Sequence, residues 1–174
     1  MENTPDRKIT YPHAAAEVSC TRDDAAAGNA EAQFGVAFCL AAASTPQDYA
    51  LAVEWYFKAA DQNHRLAQFN LGQMFAQGQG VQQNDSTAMM WIRRAANGGD
   101  AGAQFFLGDR YGRASVRESE GEAGESRIES YKWFKLAAAQ GYRNAMTRSD
   151  SATLRMTREE VAEGNRRVDT FVTN

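Results

Sequence analysis

The stretch "AQFNLGQMFAQGQGV", from Ala67 to Val81, decides the fold because similar stretches occur on both sides of it. "AQFFLGDRYGR" follows from Ala103 to Arg113, 36 residues later, and Ala32-Gln33-Phe34 precedes the central copy by 35 residues. Self-similarity at a fixed period of this size is typical of proteins built from repeated supersecondary units. The sequence therefore predicts three copies of one small unit.

The second half of each unit repeats as well. Trp55, Trp91 and Trp133 each stand four residues before a pair of alanines. In the central unit, apolar residues fall at helical spacing on both sides of the interruption "GQGV". Each unit is therefore predicted to be a first helix, a turn and a second helix, with large tryptophans packed against small alanines.

Two sets of residues are predicted to mark the ends of the second helices. The first set has side chains that can accept a hydrogen bond from an unpaired backbone N–H at a helix start. Its members are Asp48, Asn84 and Ser126. The second set consists of residue types that adopt positive φ at a helix end. Its members are Asn63, Gly99 and Gly141.

Small residues on the first helices indicate that the helices pack closely. Gly72 and Gly108, with Ala37 in the first unit, remove side-chain bulk at equivalent positions. A single helical hairpin cannot bury both of its apolar faces, so each unit needs a neighbour. The pattern predicts an all-α fold of stacked helix pairs, an α-solenoid.

The central unit, Ala67 to Gly99, resembles the Sel1-like repeat, a relative of the tetratricopeptide repeat. It carries A-Q-x-x-L-G-x-x-F-x-x-G-x-G-V, a small residue, W-x-x-R-A-A and a closing glycine. The flanking units depart from this pattern in their turns, "ASTPQ" and "GRASVRESEGEAGES". The resemblance implies a right-handed α-solenoid of antiparallel helix pairs.

The predicted organisation surrounds three units with terminal helices. The expected segments are a polar tail at 1–12, the repeat array at 13–156 (half-unit 13–28, units about 29–64, 65–100 and 101–142, last half-unit 143–156) and a capping helix at 157–174. Thr157 and Glu160 have the spacing of a capping box at the start of that last helix. Its predicted apolar stripe is Val161, Val168, Phe171 and Val172, with Glu163, Arg166 and Arg167 toward water.

The family resemblance implies a non-catalytic scaffold or adaptor that grips a partner protein or peptide on a concave face lined by the first helices. The side chains placed there by the resemblance are Phe34, Phe38, Phe69, Gln73, Gln77, Phe105, Asp109 and Arg113. The ladder Phe34, Phe69 and Phe105 has packing as its competing interpretation. For the polar members of the set, the competing interpretation is a merely solvated face.

Composition and charge exclude several other classes. The chain of 174 residues is 43% hydrophobic with a net charge of −3, so a folded protein is expected and a nucleic-acid-binding polycation is not. The polar start lacks the features of a signal peptide, and the longest apolar run is half the length of a membrane span. These features predict a cytoplasmic protein with no nucleic-acid partner and no membrane insertion. They leave the oligomeric state open, although a monomer is favoured.

No motif in the sequence predicts catalysis, a metal or a cofactor. Cys20 and Cys39 are interpreted as small buried hydrophobes, with a disulfide or redox pair as the alternative. His64 is expected to be an exposed turn residue, and the acidic run from Glu118 to Glu125 a solvated loop. The longer turn from Arg113 to Ser126 is expected to be mobile, either as a partner contact or as a plain linker.

Two alternatives to the scaffold hypothesis remain open at this point. One is a small-ligand or enzymatic site in the concavity, although no nucleophile, base and orienting group recur at a supporting spacing. The other is that these repeats are the scaffolding portion of a larger multidomain protein.

Overall fold

The structure, a computed structural model, describes residues 22–43, 45–142 and 144–172. These residues form nine helices and no strand, which confirms the predicted all-α class. The helices are α1 (Arg22–Ala26), α2 (Ala30–Ala43), α3 (Pro46–Asp61), α4 (Arg65–Gln77), α5 (Asp85–Asn97), α6 (Ala101–Ala114), α7 (Glu120–Ala139), α8 (Ala145–Thr153) and α9 (Arg158–Val172). The predicted tail at 1–12 and most of the half-unit at 13–28, with Cys20, lie outside the described residues.

The chain divides into two compact units, an N-terminal unit Met1–Arg94 and a C-terminal unit Ala95–Asn174. In the N-terminal unit, the core gathers residues of α2, α3, α4 and α5 around Tyr56, Leu71 and Trp91. Gly72 allows α4 to approach α5 closely: a Cβ at this position would lie 2.6 Å from Cγ1 of Ile92 and 3.0 Å from the carbonyl oxygen of Ala88. The predicted role of Gly72 is therefore confirmed.

In the C-terminal unit, the long helix α7 contacts α6, α8 and α9. Gly108 of α6 faces the ring of Phe134, and a Cβ there would lie 2.7 Å from it. Leu107 and Phe134 are buried, and Oγ of Ser130 donates to the carbonyl oxygen of Gly108 at 2.7 Å. The glycine at the centre of α4 and of α6 thus makes room for the second helix of its own repeat.

The predicted helix starts are right in one of three repeats. Asn84 caps α5, because its Oδ1 accepts from the N–H of Thr87 at 2.9 Å. Helix α3 begins earlier than expected, at Pro46, because Thr45 accepts from the N–H of Asp48 at 3.1 Å and proline presets a helical φ. Ser126 is buried inside α7, which begins at Glu120. The predictions for Asp48 and Ser126 were therefore wrong.

The predicted helix ends are confirmed. Asn63, Gly99 and Gly141 have φ values of 64°, 89° and 71°. Each follows a second helix, and the N–H one residue later reaches back to a carbonyl in the last turn. One turn geometry therefore closes all three repeats, and asparagine replaces glycine in the first.

The longer third repeat is not a mobile acidic loop. Helix α6 continues to Ala114 and α7 starts at Glu120, so the extra residues lengthen α7 and leave a short connection. Ala123 is buried, and Oγ of Ser119 donates to Glu122 at 3.0 Å. The expectation of a solvated loop was wrong because this segment finds tertiary partners along α9.

Helix α9 packs on α7 and begins with the predicted capping box. The N–H of Glu160 donates to Oγ1 of Thr157 at 3.2 Å, and the N–H of Thr157 donates to the Glu160 carboxylate at 2.9 Å. The predicted division of its faces is only partly right. Val172 is 70% exposed, whereas Arg167 turns toward acidic residues of α7 instead of toward water.

Candidate interaction surfaces

A buried glutamine opens the first helix of every repeat. Each is at most 5% exposed and uses its side-chain amide to donate to a backbone carbonyl in the last turn of the preceding helix. The three bonds are Gln33 to Ala25 (3.1 Å), Gln68 to Ala60 (3.0 Å) and Gln104 to Ala96 (3.1 Å). Sequence analysis assigned no role to these glutamines, although their exact recurrence was the available signal.

Two of these glutamines also accept a hydrogen bond from another glutamine. Oε1 of Gln33 accepts from Gln62 at 2.8 Å, and Oε1 of Gln104 accepts from Gln140 at 2.9 Å. Gln62 and Gln140 sit directly after the second helices of their repeats. In these two repeats, the side-chain amide of the buried glutamine therefore connects the start of the first helix to two different helix ends.

The aromatic ladder packs inside the two units. Phe34 is 8% exposed, lies 5.9 Å from the ring of Tyr56 and stacks on His64 at 4.7 Å. Phe105 lies 5.3 Å from Phe134 and is half-buried. Phe69 is also half-buried. These positions agree with the packing interpretation that the sequence left open.

His64 is the N-cap of α4 and not an exposed turn residue. Its Nδ1 accepts from the N–H of Ala67 at 3.2 Å, and its Nε2 lies 3.0 Å from Glu31. Because Nδ1 accepts, the ring proton lies on Nε2 and is donated to the carboxylate. The earlier interpretation was wrong because the contacts that hold the ring, Glu31 and Phe34, come from a helix some 30 residues away.

A cavity of about 290 Å³ opens in the N-terminal unit beside two residues of the predicted set, Phe38 and Gln73. Its wall also includes Tyr56, Asn70 and Met74. Burial raises the pKa of Tyr56 well above its ordinary value, and a hydrogen bond from Asn70 opposes that shift. The phenol is therefore neutral at physiological pH and serves as a hydrogen-bonding group, not as an acid. Gln77 is exposed at the end of the same helix.

A second cavity, of about 300 Å³, lies in the C-terminal unit among α6, α7 and α8. We call it the arginine cavity; its charged lining residues are Asp109, Arg113, Arg127, Arg148 and Arg155. Two members of the predicted set, Asp109 and Arg113, line it. Arg127 of α7, Arg148 of α8 and Arg155, which follows α8, were not predicted to belong to this site.

Asp109 organises one side of the arginine cavity. Its Oδ2 pairs with Arg113 at 2.5 Å, one turn along α6, and its Oδ1 pairs with Arg148 of α8 at 2.9 Å. Arg113 is 75% exposed and Arg148 is 53% exposed, whereas Asp109 is only 21% exposed. One partly buried carboxylate therefore orients two exposed guanidinium groups.

On another wall, Arg127 of α7 makes a two-bond pair with Glu160 of α9, at 3.1 Å and 2.6 Å. The Arg127 hydrogen bonds lower the pKa of the Glu160 carboxyl below its ordinary value, burial opposes them, and the N–H of Thr157 assists. Arg155 makes no ion pair with any described residue. The arginine cavity thus contains both neutralised and available cationic groups.

A separate ion network fastens α9 to α7. Arg167 pairs with Glu125 at 2.5 Å, with Glu129 at 2.9 Å and with Glu163 at 2.8 Å. These hydrogen bonds lower the pKa of Glu125 and of Glu163. The network thus uses Glu125 of the predicted acidic loop, together with Glu129, to hold the last helix.

Metal binding, membrane insertion and disulfide formation each place their own requirements on the described residues. No group of three His, Cys, Asp or Glu side chains among them could hold a metal ion. None of the described helices combines the length and the apolar character needed to cross a bilayer. Cys39 is half-buried on α2 and disulfide-bonded, so its interpretation as a small buried hydrophobe was wrong.

Comparison with solved structures supports the same architecture. One similar structure is a protective antigen present in uropathogenic Escherichia coli strains and displaying an SLR fold, with a TM-score of 0.74 and 25% identity. Another is a Sel1 repeat protein from Oxalobacter formigenes, with a TM-score of 0.59 and 27% identity. The matches cover 87% and 71% of this chain, but only 32% and 49% of those chains.

Sequence comparison identifies the repeats themselves. No curated protein matches the chain. The Sel1 repeat, however, matches at residues 30–64, 65–100 and 101–142, which together make up more than half of the sequence. The chain therefore belongs to the Sel1 repeat family.

Proposed function

We propose that this chain is a non-catalytic interaction module that holds a partner polypeptide on exposed side chains of its first helices. Sel1 repeats are generally protein–protein interaction modules. One observation carries the proposal: of the four polar residues predicted on the concave face, three line the two cavities. Gln73 lines one cavity, and Asp109 and Arg113 line the other.

The residues that line the two cavities have the chemistry needed to bind a polypeptide. Both cavities combine apolar surface with side-chain hydrogen-bonding groups, as binding pockets do. Arg113 is 75% exposed and has a planar fork of donors that matches carboxylate or carbonyl acceptors. Interface energy concentrates in a few such anchors. We therefore expect Arg113 to contribute more than the two glutamines.

Site-specific photo-crosslinking in the source cell tests this proposal. A photoreactive residue replaces Gln73 or Arg113 in turn, and a control places it at Glu54, an exposed residue of α3. We expect one protein to crosslink from the cavity positions and not from the control position. Equal crosslinking from Glu54 would move the interface away from the first helices.

The captured partner is then purified and titrated against the parent chain and a variant with alanine at Gln73, Gln77, Asp109 and Arg113. Substitutions at exposed positions such as Gln77 and Arg113 change stability by about 0.5 kcal/mol or less each, whereas loss of Asp109 also removes its pair with Arg148. Helical circular dichroism and the thermal midpoint therefore check that the variant is folded at the temperature of the titration. Its affinity for the partner should fall. Unchanged affinity would contradict the proposed surface, and reproducible turnover of a small substrate by the parent would contradict the non-catalytic assignment.

A further inference from the structure

The arginine cavity has a charge opposite in sign to that of the whole chain. Its lining holds four arginines and one aspartate. Asp109 neutralises one of the two arginines that share it, and Glu160 neutralises Arg127. With Arg155 unpaired among the described residues, two positive charges remain in the lining after these pairs have formed, whereas the chain carries −3.

Hydrogen-bond donors remain available in the arginine cavity after these pairs have formed. A guanidinium group has five N–H donors. Arg113 and Arg148 share the single carboxylate of Asp109, and both remain more than half exposed. Because Asp109 already orients them, a ligand that accepts from both pays less of the ordering cost of binding.

The remaining lining residues indicate what kind of anion fits. Val116, 67% exposed, and Ala152 give the arginine cavity an apolar edge. Phe134, its aromatic residue, is only 4% exposed, so it offers no open face on which a nucleic-acid base could stack. Cationic forks beside a small apolar patch match an acidic side chain next to an apolar one in a polypeptide.

We propose that the arginine cavity binds aspartate or glutamate side chains of a partner polypeptide. This inference rests on the proposed function and specifies the chemistry of the partner. Arg113, Arg148 and Arg155 donate to the carboxylates, while Arg127 stays paired with Glu160 and shapes the wall. Screening by salt then weakens the interaction, because these groups are largely exposed.

Two probes test the inference on the whole chain: a fluorescent peptide of glutamate, alanine and leucine, acetylated and amidated at its ends, and its glutamine counterpart. We expect the parent to bind the glutamate peptide more tightly, with a dissociation constant that rises with salt. Arg148→Gln combined with Arg155→Gln should weaken binding about tenfold, since each exposed charge pair is worth roughly a factor of three. The matched control is Arg110→Gln combined with Arg158→Gln, two exposed arginines outside the arginine cavity.

Binding of the glutamine peptide as tightly as the glutamate peptide would overturn the inference, and so would equal losses in the two double variants. Tighter binding of a single-stranded oligonucleotide of equal charge would assign the arginine cavity to nucleic acid instead. Amide chemical shifts of the parent provide a readout without substitution, and the glutamate peptide should perturb Gly112 and Ser115. If the peptide assay fails while photo-crosslinking from Gln73 succeeds, only the acidic specificity is wrong and the proposed function stands.

Discussion

The side-chain amide of Gln104 donates a 3.1 Å hydrogen bond to the carbonyl oxygen of Ala96, eight residues earlier. The bond spans the turn between α5 and α6, and the same relationship occurs at Gln33 and Gln68. Backbone carbonyls in the last turn of a helix lack their usual i+4 partner, and the buried amide here adds a second hydrogen bond to the one that Ala96 accepts from the N–H of Gly99 at 3.0 Å. The glutamine of the A-Q pair is therefore a structural element of each repeat.

Replacement of Gln104 by alanine should strongly destabilise the protein. The change removes one of the two hydrogen bonds to the Ala96 carbonyl, which keeps the N–H of Gly99, leaves the Gln140 amide without its partner and opens a void at a site that is 1% exposed. Together these effects should cost about 2–4 kcal/mol in the free energy of unfolding. Urea denaturation followed by circular dichroism measures it. Gln77→Ala, at an exposed glutamine, is the matched control, and an equal effect of the two substitutions would refute the structural role.

Trp91 should be among the most costly residues to truncate in the N-terminal unit. It is 4% exposed and packs edge-on against Phe57, with ring centroids 5.5 Å apart. Trp91→Ala should cost about 3–5 kcal/mol, whereas Arg117→Ala, at an exposed turn residue, should cost almost nothing. Chemical denaturation compares the variants with the parent.

Trp91→Phe separates packing from hydrogen bonding at this position. The indole Nε1 is buried without a hydrogen-bond partner among the described residues, so its loss removes no such bond. Phenylalanine should therefore retain most of the stability that alanine loses. A phenylalanine variant as unstable as the alanine variant would show that the indole nitrogen has a partner in solution.

Gly99 should accept asparagine but not valine. Its φ is 89°, and Asn63 occupies the corresponding position of the preceding repeat with a φ of 64°. Asparagine tolerates this region, while a β-branched side chain resists it. Gly99→Val should therefore lower the thermal midpoint by several degrees more than Gly99→Asn. Equal midpoints for the two variants would contradict the left-handed helix end.

Local geometry explains what the sequence could predict. The positive φ at Asn63 and Gly99 depends on a turn within a few residues, and the capping box at Thr157 depends on a spacing of three. The close approach at Gly72 follows from its place on the apolar face of a periodic helix. Each of these features depends on residues close together in the sequence or on the period of the repeat. Their prediction therefore required no knowledge of distant contacts.

Long-range contacts explain what the sequence could not predict. The extended start of α7 is supported by the pair between Glu125 and Arg167, 42 residues apart. His64 caps α4 because Glu31 holds its ring. In the arginine cavity, repeat spacing placed Asp109 and Arg113, but Arg148 joins them only through tertiary packing. Two lining residues of the arginine cavity could therefore be predicted from the sequence, whereas its net positive charge could not.

The pair between Glu160 and Arg127 should make the attachment of α9 sensitive to acid. The pKa of the Glu160 carboxyl lies below its ordinary value of 4.5, chiefly because Arg127 donates to it. The folded state thus favours the ionised form, so this stabilisation is complete above the ordinary pKa and is lost as pH falls through the lower folded value.

Glu160→Gln should cost about 1–2 kcal/mol near neutral pH. Thermal midpoints of parent and variant should then converge as the pH falls below 4.5 and through the lower folded pKa of Glu160. Glu159→Gln, at an exposed neighbour in the same turn, should leave the parent's pH profile nearly unchanged. A gap between the parent and Glu160→Gln that persists undiminished at low pH would mean that the side chain stabilises α9 by packing and not by charge.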